Sequence, residues 1–438
     1  MSLGACRLKK RILILVVGLG ASLGLIACGG SNSSTSSTNI KNRVVASQGV
    51  SSPTAFGGLR LINGYNDTIV PAAPLSAGSS PGLMALSPTH NILTAFDASS
   101  NSVYAVDTTK ESPIGNVKLP GPTGSMVVPT SVATGYAAVP SATVDGYAFT
   151  GAIEEMNFPN GVLLTIAVPN AQTVVANQDG SQLLVFSNDS NVMTVLFPGV
   201  AAPPVDTSCL SNPPNAVCTV VPGFDRPVFA IINGTTAYVL NCGAQCGGTQ
   251  ASLMVFDLNT LTITNTIPVD AATWAWLDGS TLYVAGTSPT NNACDPKTTQ
   301  AKICGRLDIV DLTSGIVTGT AVITDGYHDR MDMTTNGQLF IGSHDCTNIG
   351  DVNNPSGEVR GCLSIYKTAD GSVLFPPDNG NVDALQGFVS RKVEYVAEGG
   401  SLRVYDTNKD ILLINDFVPQ GTINVVGYVG DVKAIDFF

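Results

Sequence analysis

From Gly58 to the C-terminus one four-part unit recurs: an apolar strand, a polar turn, a second strand, a loop, a third strand often ending in Asp, a short turn and a fourth strand. The clearest copy runs Thr273-Trp274-Ala275-Trp276, the turn Asp278-Gly279, Thr281 to Ala285, a loop, Leu307 to Asp311, the turn Ser314-Gly315, and Ile316 to Ile323. Third strands of the same kind end at Asp107, Asn157, Leu196, Asp257, Lys367 and Asp406. Each is a run of about five alternating or apolar residues bounded by turn formers, which is how a strand reads in sequence. Successive third strands lie about 40 residues apart, and about 60 where loops are long.

Four short strands at that period make a propeller blade. A lone blade cannot cover both its faces, so the blades must stack and the ring must close. The expected fold is therefore all-β, a single β-propeller over residues 58–438. Closure is expected from both termini. Thr422 to Val426 and Asp431 to Phe437 read as a first and second strand, Leu59 to Asn63 and Thr68 to Val70 as a third and fourth. Counting that composite blade gives eight, with a ring of seven left open. Composition agrees: 45 Gly and 26 Pro serve the turns, and only 12% of residues are charged because strands stacked between blades leave little room for charge. The net charge of -12 excludes nucleic acid as an expected partner, since phosphate binding needs clustered Lys and Arg.

The N-terminus reads as an address. Arg7, Lys9, Lys10 and Arg11 precede an uncharged apolar run from Ile12 to Ile26, the layout of a secretory signal peptide and too short to be a comfortable membrane span. Leu25-Ile26-Ala27-Cys28 resembles a bacterial lipobox, which implies cleavage after residue 27 and acylation of Cys28. Gly29 in place of Asp implies sorting to the outer membrane. Residues 28–57, rich in Ser, Thr and Asn, then read as a tether with a reach of about 30 Å. Removing residues 1–27 lowers Lys plus Arg from 21 by four to 17, against 33 acidic residues, a net of -16.

The repeat resembles the YncE/YVTN type of secreted and surface propellers. The resemblance rests on Asp278 to Ala285, on Val255 to Thr260 with Thr266 to Val269, on Gln178 to Ser181 and on Ser87-Pro88. It covers most of residues 58–438 and speaks to fold, because these motifs are turns and core strands. Several blades depart from it by lacking the Asp-Gly turn, and some carry long inserted loops.

Those loops hold eight cysteines, expected as four sequential disulfides: Cys209 with Cys218, Cys242 with Cys246, Cys294 with Cys304, and Cys346 with Cys362. Eight cysteines permit 105 connectivities, and the blade register favours this one. An oxidising compartment favours disulfides over a metal at Cys242-x3-Cys246. Three of the pairs lie on second-to-third loops of consecutive blades and should brace one face as a rim; Cys209 to Cys218 falls between a third and a fourth strand, on the opposite face.

His328, Asp329, His344 and Asp345 reach the same rim and are the candidate metal or acid/base residues. The competing reading is polar loop residues bonded to backbone. Trp274, Tyr327 and Arg330 are candidate ligand contacts, His90 a surface residue, and Glu154-Glu155 one exposed and one partly covered carboxylate. No nucleophile elbow, phosphate loop or zinc-protease motif is present. The function expected is a non-catalytic binding or interaction module for a protein, glycan or small ligand, monomeric and lipid-anchored in the cell envelope. No cofactor is expected, with a divalent metal as the option. The alternative is a hydrolase of the lactonase kind with that metal at the channel mouth.

Overall fold

The computed structural model describes residues 42–436 apart from 51–56, 131, 200–208, 210–217, 296–301, 348, 351–358, 377–379, 389 and 417. The segment expected as a signal peptide, Cys28, the start of the expected tether and Phe437-Phe438 lie outside the described residues. No helix among those described is long and apolar enough to cross a membrane.

Among the described residues the chain forms eight antiparallel blades of four strands, one of which, blade 7, carries a fifth strand, and a two-stranded sheet stands apart from them. Innermost strands, in chain order for blades 1 to 7, are Pro81–Leu86, Ser125–Val127, Ala171–Ala176, Pro227–Asn233, Trp274–Asp278, Tyr327–Met333 and Val382–Phe388; Val432–Asp436 supplies the eighth. Each touches the next, and the eighth touches the first, so the ring is closed. All the third strands expected from sequence occupy third positions.

The Asp that ends many third strands is there for a local reason. Asp257 accepts the backbone N–H groups of Asn259 and Thr260 at 2.8 and 3.0 Å, and Asp311 accepts that of Thr313 at 2.9 Å. A side chain that mimics a turn carbonyl in this way fixes the tight connection to the fourth strand. The same bonds hold both carboxyls below their ordinary range.

Closure differs from the two-plus-two expectation. The C-terminus contributes one strand, Val432–Asp436, and the N-terminal side three: Asn42–Gln48, Gly58–Asn63 and Thr68–Ile69. Residues 42–48, expected as part of the tether, are thus a second strand, in register from Asn42 against Asp436 to Ala46 against Val432. Its apolar run is only Val44-Val45-Ala46, too short to stand out beside a polar tract, yet all three are buried. Thr422–Ile423, expected as a first strand, instead pairs the third strand of blade 7.

Both faces of the closing blade are covered. Val44, Ile62 and Val432 pack with Tyr395 and Val404 of blade 7, while Val45, Leu61 and Ile435 pack with Met84 and Leu93 of blade 1. Asp67, between the third and fourth strands of the closing blade, receives Arg391 from blade 7 through both oxygens at 2.7 and 2.8 Å and the Tyr395 hydroxyl at 2.6 Å. On the other side the buried Asp431 carboxylate accepts the Met84 N–H of blade 1 at 2.6 Å.

A chain beginning at residue 42 should keep the melting temperature of one beginning at residue 28, whereas one beginning at residue 58 should lose cooperative unfolding. Val432→Asp should destabilise by more than about 3 kcal/mol, because it places a charge in a fully apolar site. Thermal and denaturant unfolding followed by circular dichroism checks all three.

Candidate functional site

The innermost strands do not pair regularly with their neighbours. In blades 3, 4, 6 and 7 the register slips by one residue near the start of the strand, leaving Gln172, Val228, Asp329 and Asp383 as extra residues. A bulge of this kind re-aims a side chain and sharpens the local twist. Because it recurs at the same level of the ring, it sets several side chains around the end of the channel from which the second-to-third loops project.

The channel is a cavity of about 570 Å³ walled by the innermost strands of blades 1 to 6, among them Met126, Val175, Phe229 and Trp274. A second space of about 420 Å³ opens beside it at the looped end and shares Gln172, Thr173, Val228 and Tyr327 with it. Trp274 stacks on Phe229 with ring centroids 3.8 Å apart and interplanar angle 19°. Trp276, one pleat further on, is not part of the wall and packs with Tyr283 and Leu307 between blades 5 and 6. Tyr327, Asp329 and Arg330 line the cavity.

The two candidate histidines separate. His328 is fully buried; its Nε2 lies 2.9 Å from the Thr324 carbonyl oxygen, and its Nδ1 has no hydrogen-bond partner among the described residues. Burial pulls its pKa down to about 4. His344 instead bridges two carboxylates, with Nδ1 3.0 Å from Asp329 Oδ1 and Nε2 3.1 Å from Asp383 Oδ1. Those two hydrogen bonds push its pKa up to about 9. Asp345, the fourth candidate, is exposed, with φ at 54°.

The expected metal grouping is therefore not assembled. His328 faces the seam between blades 5 and 6, close to Gly305, because strand alternation sends it to the side opposite the channel. His344 spends both nitrogens on carboxylates. Among the described residues no three His, Cys, Asp or Glu side chains converge as a donor set.

The residue missed from sequence is Asp383. It comes from blade 7, 39 positions from His344, and its only local signal is an Asp interrupting an apolar strand. It also receives the Tyr428 hydroxyl at 2.5 Å on Oδ2, and its carbonyl accepts Arg330 Nε at 2.6 Å. Arg330 Nη1 reaches Asp329 through the carbonyl at 2.7 Å and the carboxylate at 3.2 Å. The cluster thus joins blades 6 and 7 to the segment leading into the closing strand.

All four disulfides join neighbours in sequence: Cys209–Cys218, Cys242–Cys246, Cys294–Cys304 and Cys346–Cys362. The last three lie on second-to-third connections of blades 4, 5 and 6. The turn closed by Cys242–Cys246 presents Gln245, which accepts the Thr287 N–H of blade 5 at 2.8 Å and donates to the Gly326 carbonyl at the entry to blade 6 at 3.2 Å. Thr287 donates its hydroxyl to the same carbonyl at 2.8 Å. Three consecutive blades are therefore tied together at the mouth. Cys209 and Cys218 belong to the core between blades 2 and 3.

Glu154 and Glu155 differ from the expected exposed and half-covered pair. Glu154 is buried and accepts the Thr165 hydroxyl at 2.6 Å, Glu155 bonds Tyr136, and burial raises the pKa of both. The two alternate between the faces of blade 2, the one on which Ala152 and Met156 pack toward blade 1 and the one on which Ile153 packs toward blade 3. His90 lies in a first-to-second turn at φ 57°.

No protein-family model matches the chain, and no curated protein does. Among solved structures it resembles "Dihydro-heme d1 dehydrogenase NirN in complex with DHE", at 10% identity and TM-score 0.57 over 91% of this chain and 75% of that one. It also aligns with Kuenenia stuttgartiensis hydrazine synthase, at 13% identity and TM-score 0.44 over 82% of this chain and 95% of that one. The first supports the propeller fold alone.

The histidines predict opposite pH effects. The folded-state pKa of His344 is raised, so its contribution is complete below about pH 6.5 and lost as pH rises through about 9; it should be on the order of 2 kcal/mol. The pKa of His328 is depressed, so the unfolded chain takes up its proton first and stability falls as pH drops from about 6.5 toward 4. Urea unfolding across pH 4 to 10, with His344→Gln losing the alkaline slope, checks both signs.

Proposed function

We propose that this protein is an envelope-anchored binding module whose ligand seats at the looped mouth of the propeller channel. The observation that carries the reading is the meeting of the two cavities at Gln172, Thr173, Val228 and Tyr327, beneath loops cross-linked by disulfides and by Gln245. A concave, largely apolar site with a few converging polar groups is the usual form of a ligand pocket. A rim braced before binding loses little further freedom on binding. Hydrolysis is the weaker reading because the side chains expected to hold a metal point apart and His344 is held between two carboxylates.

The YncE/YVTN-type repeat, with the turns quoted above, is the assignment we favour within the propellers. Four disulfides suit an oxidising, extracytoplasmic compartment, as the basic and apolar N-terminus does. The anchor is then diacyl- or triacylated Cys28, and the outer membrane the destination. Feeding cells an alkyne-tagged fatty acid should label the protein, and Cys28→Ala should lose both label and membrane association; labelling that survives this change contradicts the anchor.

For the site itself, thermal shift against glycans, peptides and small molecules is the direct experiment. At least one compound class should raise the melting temperature of the parent and not of Thr173→Trp, which fills the shared mouth. Stabilisation that is equal in both proteins would place binding elsewhere.

A further inference from the structure

The polar groups at the mouth are unequally committed. Asp329 and Asp383 already face both nitrogens of His344, and Asp383 also holds the Tyr428 hydroxyl. The guanidinium of Arg330 uses Nε on the Asp383 carbonyl and Nη1 on Asp329. Its Nη2, with two N–H groups, has no partner among the described residues. The side chain is 30% exposed and lines the cavity. What the mouth still offers is therefore a donor, held in fixed orientation by three bonds from the rest of the same group.

Much of the wall beyond Arg330 is apolar, with Met126, Val175, Phe229 and Trp274 facing the space, and Thr173 and Gln178 add polar groups. A ligand that satisfies both parts has an apolar body and a hydrogen-bond-accepting head. The charge around the guanidinium selects the kind of head. Asp329 and Asp383 already balance the charges of Arg330 and His344, so a carboxylate or phosphate ligand would bring an uncompensated anion to the cluster, in a chain whose net charge is already -12. A neutral carbonyl accepts the same N–H groups without that repulsion.

We propose that the channel takes a neutral, apolar molecule bearing a carbonyl group, such as an aliphatic ketone or ester, with its carbonyl oxygen on Arg330 Nη2 and its hydrocarbon part along Val175 and Trp274. The assignment rests on the mouth being a ligand site and specifies what that site selects.

The test uses 2-nonanone and nonanoate, which share a chain length and differ in head group, titrated at pH 7.5 into the Trp276→Phe protein so that Trp274 is the sole fluorescent reporter. The ketone should change Trp274 emission in a saturable way, and nonanoate should bind at least 10-fold more weakly. Arg330→Gln should weaken the ketone by about 10-fold or more, the range for a hydrogen bond to a charged group. Val175→Phe, which narrows the channel without touching Arg330 or adding a second tryptophan, should abolish binding of both. Equal or tighter binding of nonanoate overturns the neutral-head assignment while leaving the mouth a binding site, and this comparison on the Arg330 protein stands even if Arg330→Gln does not fold. Unchanged ketone affinity in a folded Arg330→Gln overturns the role of Arg330. Absence of any saturable signal from either molecule overturns the carbonyl ligand, and the broader reading of the mouth then stands or falls on the thermal-shift comparison with Thr173→Trp.

Discussion

The structure depends on the pairing of Val432–Asp436 with Asn42–Gln48, strands drawn from opposite ends of the described chain. Propeller blades are stabilised by their neighbours, and an open ring would leave the faces of blades 1 and 7 in water. Sequence-distant contacts of this kind cost loop-closure entropy, and the closing blade offsets it with two apolar faces and charged ties on both sides. Asp431 reaches forward to Met84, while Asp67 reaches back to Arg391 and Tyr395. Arg391 and Asp67 bond through two parallel contacts, the geometry in which a guanidinium and a carboxylate hold each other most firmly.

Closure also shapes the channel mouth. Once the eight innermost strands form a ring, any irregularity shared by several of them becomes a ring of similar irregularities. The bulges at Gln172, Val228, Asp329 and Asp383 are such a set. They turn residues on different blades toward a common space and let Asp329 and Asp383 approach His344 from two sides. The disulfide loops add bracing above this level, with Gln245 linking blade 4 to the second-to-third connection of blade 5 and to the entry of blade 6. Fold, closure and site are thus connected through one layer of strands.

The third strands were legible because their signal is local: five apolar or alternating residues, then an Asp whose carboxylate caps the next turn, as at Asp257 and Asp311. The disulfides were legible because each pair sits within one loop of that repeat. Closure was legible only in outline. Val44 to Ala46 is too short an apolar run to be told from a tether without its partners, and Thr422–Ile423 has the composition of an inner strand but an outer position. At the site, sequence brought Asp329, Arg330, Tyr327, Trp274 and His344 to the mouth. It could not separate His328 from His344, since one residue of register decides which way a strand side chain points. Nor could it supply Asp383, whose role exists only because blade 7 stands beside blade 6.

The separation of the histidines is the most direct consequence of bulged inner strands in a closed ring. The chain has only three His, so imidazole NMR shifts followed from pH 4 to 10, with His344→Gln to identify one signal, measure it directly. The account predicts that His344 titrates at about 9 while His328 stays neutral until about 4. Titration of both near the ordinary histidine value of 6.5 would contradict it.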